Sequence, residues 1–245
     1  MSLDLPVPAV ALAIGAHPDD IEFGAGATLA KWAAAGCVVH HLVCTDGSKG
    51  SWDPSADVAQ LVVTRQGEQR AAAAALGATG ECVFLGWPDG ELDSGLRQRW
   101  EVAYWIRRLT PTVVLGHDPW KRYRLHPDHR HAGLLAVEGI VAARDPHFFP
   151  EQQLPHHRPE ALLLFEADEP DHAEAVDEAA VTAKLAALHA HESQLLSTMH
   201  IDVTAPEAEQ AAQRQAFDAL IRDRLVDHDL PGVGPAERFK LIDDL

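Results

Sequence analysis

Residues 9–36 read AVALAIGAHPDDIEFGAGATLAKWAAAG, and this stretch decides the fold. Ala9 to Ala16 is a continuous apolar run, the pattern of a strand buried on both faces. His17-Pro18-Asp19-Asp20 follows as a polar turn. Ile21 to Ala35 is rich in alanine, with Leu29 and Trp32 spaced as on one helix face, and Gly36 supplies the stop. Strand, polar turn and helix in that order make the first half of a βαβ unit.

The same alternation continues outward. Val38 to Thr45 reads as a strand, Asp46 to Pro54 as a long loop, and Ala56 to Leu76 as a helix with Ser55 as its N-cap. Cys82 to Leu85 is a short strand, and Gly86 to Asp93 a loop. Ser94 caps a helix ending at Leu109, before Pro111. Thr112 to Gly116 is a strand, Asp118 to Asp128 a loop, and His129 to Arg144 a helix. Strands separated by helices of this length predict a Rossmann-like α/β fold. Its sheet is mostly parallel, with helices on both faces and the site at the carboxyl edge of the strands. Beyond Arg144 the pattern weakens. Residues 145–160 are rich in Pro and His and read as a lid-like loop, Ala161 to Glu166 as one more strand, and Glu178–Leu196 and Pro206–Leu225 as helices. The expected organisation is a single domain over 1–245, with a metal-site core at about 9–144, the lid at 145–160 and a C-terminal helical part over 178–245.

Bulk properties narrow the partners. A net charge of −17 repels phosphate backbones and anionic lipid, so neither nucleic acid nor a membrane is expected. No apolar run approaches the roughly 20 residues of a membrane span, and the N-terminus lacks the features of a signal peptide, which together predict a cytoplasmic protein. Cys37, Cys44 and Cys82 are odd in number and lack CxxC spacing, which fits buried small hydrophobes rather than a disulfide framework. The composition leaves room for a homo-oligomer.

Two segments carry chemistry because they are built alike: His17-Pro18-Asp19-Asp20 and His126-Pro127-Asp128-His129. Each follows a strand and opens a helix, where proline sits well because its missing N–H costs nothing. Parallel strands place both segments at the carboxyl edge. Residues three apart in a helical turn share a face, which pairs His17 with Asp20 and His126 with His129. Two imidazoles and one carboxylate form a ligand set for a catalytic zinc, with a position left for water. A carboxylate not used as a ligand serves as base. Asp19 is that candidate, taking a proton from a water whose pKa a metal lowers to about 7. His126 is the candidate for stabilising the oxyanion and protonating the leaving amine, and Asp128 for holding the His126 ring.

Two other chemistries use similar parts. Two His and one carboxylate are also the facial triad of non-haem Fe(II) oxygenases. A sugar-binding module could carry a closed structural metal, but the sequence shows no fourth ligand.

With these residues in place, the chain resembles the PIG-L (LmbE-like) family of zinc-dependent N-acetylglucosaminyl deacetylases. The resemblance rests on the two segments above and on Thr45-Asp46-Gly47, Arg65 with Glu68, Leu85-Gly86-Trp87-Pro88-Asp89-Gly90 and His191-Glu192-Ser193-Gln194, spanning about Ala9 to Gln194. It implies hydrolysis of an N-acyl group, acetyl by expectation, from a small amino-sugar substrate. It implies zinc, with Fe(II) as the alternative, held by His17, Asp20 and His129, with Asp19 as base, His126 as the transition-state histidine supported by Asp128, and Arg65 facing substrate. Cleavage of a sugar-linked thiol S-conjugate is the neighbouring alternative.

Weaker signals stand beside these. Arg65 could instead pair with Glu68 on a solvated face, and Asp89 is either a turn-former or a sugar contact. Trp52, Trp87 and Trp120 fall in loops at the carboxyl edge and could stack on a sugar or pack those loops. Consecutive His40 and His41 face opposite ways, so at most one approaches the site. His147, His156 and His157 read as surface residues. Gly24-Ala25-Gly26 comes after the turn rather than in it, which rejects a dinucleotide site.

Overall fold

The computed structural model describes residues 1–226 and 233–245. Among the described residues, eight strands form one sheet: β1 (Ser2–Leu3), β2 (Val10–Gly15), β3 (Val38–Thr45), β4 (Cys82–Trp87), β5 (Val113–His117), β6 (Ala161–Phe165), β7 (His172–Ala175) and β8 (Ala236–Ile242). The described residues also form six α-helices: α1 (Asp20–Ala34), α2 (Val58–Ala75), α3 (Leu96–Leu109), α4 (Pro127–Arg144), α5 (Glu178–His189) and α6 (Glu207–Arg224). The strand order is β1-β7-β8-β6-β5-β2-β3-β4. Strands β2 to β6 are mutually parallel, and β8 runs antiparallel between β6 and β7.

Alternation along β2 builds both halves of the core. Ala11 and Ala13 face the cluster that includes Leu29, Trp32 and Leu188, while Leu12 and Ile14 face the cluster that includes Ile106, Leu135 and Ile140. Small residues on the α1 side allow close approach. A Cβ at Gly24 would fall 2.5–2.9 Å from the Phe165 ring, so the Gly24-Ala25-Gly26 run serves helix-on-sheet packing.

The topology sets the site. From β2 the chain proceeds outward through β3 and β4, then returns to place β5 on the other side of β2. The loops leaving β2 and β5 therefore diverge and open a crevice at their carboxyl ends.

Several expectations change in detail. Asp57, rather than Ser55, caps α2, its side chain accepting from Gln60 N–H, and Gly95 rather than Ser94 precedes α3. Strand β5 runs on to His117, and α4 begins at Pro127. The expected helix over 178–196 ends at His189, with a single 3₁₀ turn at Glu192–Gln194. The part expected to be helical over 178–245 contains a strand, β8; residues 227–232 of it lie outside the described residues. β8 escapes a pattern reading because its inward residue Glu237 is charged. That carboxylate is 4% exposed and is met by Lys184 Nζ at 2.6 Å and by the N–H groups of Ala27 and Thr28. Lys184 also donates to Phe23 O, so the pair ties β8 and α5 to α1.

Residues 145–160 do not form a lid. They link the end of α4 to the start of β6, at the edge opposite the site, and none of them lines the site cavity. Buried Arg107 pins the segment, donating to the carbonyls of Ala142, Ala143, Asp145 and Phe148 and to Gln152 Oε1. Cys37 and Cys44 are buried and Cys82 is partly buried; all three are free. Among the described residues no helix is long and apolar enough to cross a membrane.

Removing one partner of a buried pair leaves an uncompensated charge, at a cost of about 3–5 kcal/mol. Lys184→Met is therefore expected to lower the unfolding free energy by about that amount, read from the urea midpoint at unchanged slope.

Candidate active site

The first segment is shaped by backbone geometry. After Gly15 the chain turns sharply enough that a Cβ there would lie 3.0 Å from Ile21 Cγ1 and 3.2 Å from Asp20 Cβ. Asp19 then caps α1 with φ 103 and ψ −27, a left-handed conformation that side chains disfavour and that clusters at functional sites. The turn closes as His17 N–H donates to Asp20 Oδ2 at 2.7 Å.

Asp20 is the centre. Its Oδ2 lies 3.3 Å from His17 Nδ1 and 3.2 Å from His117 Nε2, and its Oδ1 lies 3.2 Å from His129 Nε2. Three imidazoles, from the turn after β2, the end of β5 and the first turn of α4, thus surround one buried carboxylate. The His117 and His129 rings stack at 4.4 Å, and His126 sits 5.0 Å from His129 and 4.5 Å from His17.

A second group of carboxylates lies on the other side of His17. Its Nε2 is 3.1 Å from Asp128 Oδ2 and 3.3 Å from Asp89 Oδ1. Asp128 also accepts from the N–H groups of Gly90 and Leu92, which joins the loop after β4 to α4. The support expected for His126 therefore goes to His17. The reason is position: Asp128 lies in the first helical turn and points inward, fully buried, while His126 before it is exposed. Asp89 accepts from Lys49 N–H and lies within the cluster rather than in a solvent turn.

Arg65 is buried on α2 and does not pair with Glu68. It donates to Gly47 O at 2.9 Å and Pro18 O at 2.7 Å, and its Nη2 is 3.5 Å from Asp19 Oδ2. Glu68 instead accepts from the N–H and hydroxyl of Ser193, which couples the Arg-x-x-Glu and His-x-Ser-Gln patterns seen in sequence. The tryptophans do not line the cavity. Trp52 and Trp120 are exposed, and Trp87 donates to Glu101. His40 turns away to accept from Glu81 N–H, while His41 is buried close enough to Glu22 to sense its charge.

Sequence reasoning missed His117, Gln69 and Glu22. The signal for His117 was its place after Val-Val-Leu-Gly, where extending the strand by one residue puts an imidazole at the carboxyl edge. Gln69 and Glu22 gave no signal, since polar residues in helices read as solvated.

Charge explains the protonation pattern. Burial alone would depress His17, but Asp128, Asp20 and Asp89 override it and raise its pKa to about 12. Burial would raise Asp20, yet His129 and His117 hold it well below the usual carboxylate range. Burial would also raise Asp89, but the His17 imidazole beside it holds it at about 2. Asp19 goes the other way: burial pushes it up to about 6 against the pull of Arg65. Burial lowers His126, helped by His17 and His129.

The donor set fits a divalent cation. Candidate ligand atoms lie within 4.8 Å of one another in three overlapping groups: His17, His126 and His129; Asp20, His117 and His129; and His17, Asp89, His126 and Asp128. His117 Nε2 is buried 3.2 Å from Asp20 Oδ2 without forming a regular hydrogen bond, so once deprotonated this nitrogen is placed to serve the cluster as a ligand atom. Imidazole with carboxylate suits zinc or Fe(II). The cluster lines a cavity of about 740 Å³, which Lys184, Ile221, Leu225 and Ala236 also line.

Fold and site together define an α/β protein whose switch-point crevice carries a histidine–carboxylate cluster able to hold a metal. Residues 12–140 match the family described as PIG-L, GlcNAc-PI de-N-acetylase. The chain belongs to this PIG-L family, as its LmbE-like sequence patterns led one to expect. It is 34% identical over 186 residues to the diacetylchitobiose deacetylase of Thermococcus kodakarensis, covering 75% of this chain and 69% of that protein. It is 35% identical over 170 residues to the 1D-myo-inositol 2-acetamido-2-deoxy-alpha-D-glucopyranoside deacetylase of Streptomyces avermitilis, covering 59% of this chain and 57% of that protein. Among solved structures, the N,N'-diacetylchitobiose deacetylase from Pyrococcus horikoshii superposes with a TM-score of 0.81 at 26% identity, covering 96% of this chain and 84% of that one.

The protonation pattern fixes how metal-free protein responds to pH. His17 and Asp19 have raised values, so their contributions are full at low pH and are lost as pH rises above their unfolded values near 6.5 and 3.8. Asp20, Asp89 and Asp128 have lowered values, so theirs are present above about 4 and lost as pH falls. Chelator-treated protein is expected to melt at a higher temperature at about pH 6 than at about pH 8, and to lose stability again below about pH 4. Equal midpoints at the two higher values would contradict the charge assignment.

Proposed function

We propose that this protein is a metal-dependent amide hydrolase that removes the N-acyl group, acetyl in the simplest case, from an N-acetylglucosamine-type sugar or glycoconjugate. The observation that carries the reading is Asp19. A buried carboxylate with its pKa raised to about 6 lines the same open cavity as a cluster fit for a metal. A general base works best with a pKa near the operating pH. The relatives above are deacetylases of N-acetyl sugars by name. They favour this chemistry over the S-conjugate amidase and the iron oxygenase.

Zinc, or Fe(II), held by His17, Asp20 and His129 would supply Lewis-acid polarisation of the acyl carbonyl and a water acidified to a pKa of about 7. The protein's own groups do the rest. Asp19 accepts the proton of the attacking water and is kept from swinging away by the left-handed turn and by Arg65. His126, exposed to the cavity, donates a ring N–H to the developing oxyanion, and the proton that Asp19 takes from water is passed on through His126 to the departing sugar amine. Asp89 and Asp128 hold the His17 ring from behind, which sets which nitrogen faces Asp20. Arg65 lines the cavity while its terminal nitrogens grip the backbone, so it offers substrate a positive charge that is fixed in place. The products are a free carboxylate and a free amine.

The test is a panel of N-acetyl sugars assayed for acetate release, with and without chelator. Asp19→Ala should retain metal and lose about 10²–10⁴-fold in kcat, the range for a general base. His17→Ala should lose both metal and turnover. An Asp19→Ala protein with normal kcat would remove the base from the mechanism.

A further inference from the structure

Asp19 is held in a disfavoured backbone conformation, and the structure shows what holds it. Its N–H donates to Gln69 Oε1 at 3.0 Å. The carbonyl of the preceding residue, Pro18, accepts from Arg65 Nη2 at 2.7 Å. That N–H and that carbonyl are the two polar ends of a single planar peptide group. Arg65 and Gln69 lie four residues apart on α2, on one face of the helix, and both are buried. A peptide plane gripped at both ends cannot rotate, and its rotation is what would change φ of Asp19.

The grip has a polarity that a third residue sets. Gln69 Nε2 donates to Glu22 Oε1 at 2.6 Å. If the amide were turned over, its NH₂ would oppose the Asp19 N–H and its oxygen would oppose the Glu22 carboxylate, so only one orientation is satisfied. Glu22 and Gln69 are fully buried, which makes each misplaced polar contact costly. The other Glu22 oxygen lies 3.3 Å from His191 Nε2, and His191 is likewise fully buried. Two residues on, Ser193 is fastened to Glu68 of α2. The chain of contacts therefore runs from the turn after α5, through the first turn of α1, to the backbone of Asp19.

We propose that Gln69 is a positioning residue which, with Arg65, clamps the Pro18–Asp19 peptide and so aims the Asp19 carboxylate, and that Glu22 fixes the orientation of the Gln69 amide. The proposal rests on reading Asp19 as the base. It assigns Gln69, on the buried side of α2, a role in catalysis without contact to substrate, and it gives the His191 turn a reason to be buried beside α1.

The experiment compares Gln69→Ala, Gln69→Glu and the exchanged pair Glu22→Gln with Gln69→Glu, each as full-length, metal-loaded protein. Gln69→Ala should lower kcat by about tenfold to a hundredfold through misaligned geometry, with metal content unchanged. Its KM should stay within about threefold, because binding is untouched. Gln69→Glu should be worse than Gln69→Ala, since two carboxylates then face each other. The exchanged pair should recover at least about tenfold over Gln69→Glu. In it the amide now on α1 can donate to the carboxylate now on α2, whose second oxygen again accepts from Asp19 N–H. A kcat for Gln69→Ala within about twofold of the parent, or a folded, metal-replete exchanged pair that recovers nothing, would overturn the clamp. A crystal structure of Gln69→Ala decides independently of turnover: Asp19 should leave the left-handed region, and an unchanged φ would refute the proposal. If the parent protein cleaves no N-acetyl sugar, the functional reading fails while this structural arm still judges the clamp.

Discussion

The arrangement depends on keeping a carboxylate charged where water is nearly excluded. Asp20 is 8% exposed, and an unpaired charge at such a place would cost several kcal/mol. His17, His117 and His129 offset that cost, and each comes from a different element. Satisfying one anion therefore draws together the turn after β2, the end of β5 and the start of α4. Because β2 and β5 are neighbours at the switch in strand order, the three can meet without distorting the sheet. A divalent cation answers the same electrostatic demand, which is why the metal-free cluster has the makings of a site.

Behind this first ring lies a set of buried polar contacts that belongs mostly to α2. A helix whose inward residues are Arg65, Gln69, Ala72 and Ala73 gains little from apolar burial. It is held by Arg65 on two carbonyls, Gln69 between Asp19 and Glu22, and Glu68 on Ser193. In a low-dielectric interior such bonds are strong when complete and expensive when broken, so they specify one geometry. That suits a turn in which Asp19 must keep an unfavourable φ. The same logic holds farther out, where Lys184 and Glu237 bring β8 against α1 and both line the cavity.

Much of this was legible in the sequence, for local reasons. The β2 run, the α1 face and the Val38–Thr45 strand follow from apolar runs and spacing that need no knowledge of neighbours. The two His-Pro-Asp turns were visible because a proline-opened helix places residues three apart on one side, and parallel strands bring such turns to a common edge. The illegible parts are those whose polarity is satisfied from elsewhere. Glu237 reads as a solvent residue until Lys184 is known to face it. Gln69 and Glu22 look like an ordinary helix surface until the turn they support is in place. Residues 145–160 looked like a lid by composition, but Arg107 holds them at the opposite edge. Asp128 looked like the partner of His126 by adjacency, yet its burial aims it at His17.

By itself the sequence determined the α/β alternation, the carboxyl-edge location of the chemistry, and the residue types able to bind a cation and move a proton, because periodicity and helix-start chemistry act over a few residues. Only the tertiary structure decided which imidazoles surround Asp20, that His117 joins them, that Asp128 braces His17, and that α2 turns its polar face inward onto Asp19. Those outcomes depend on which buried charge finds which partner across tens to hundreds of residues, and desolvation is settled only when the whole chain has closed around it.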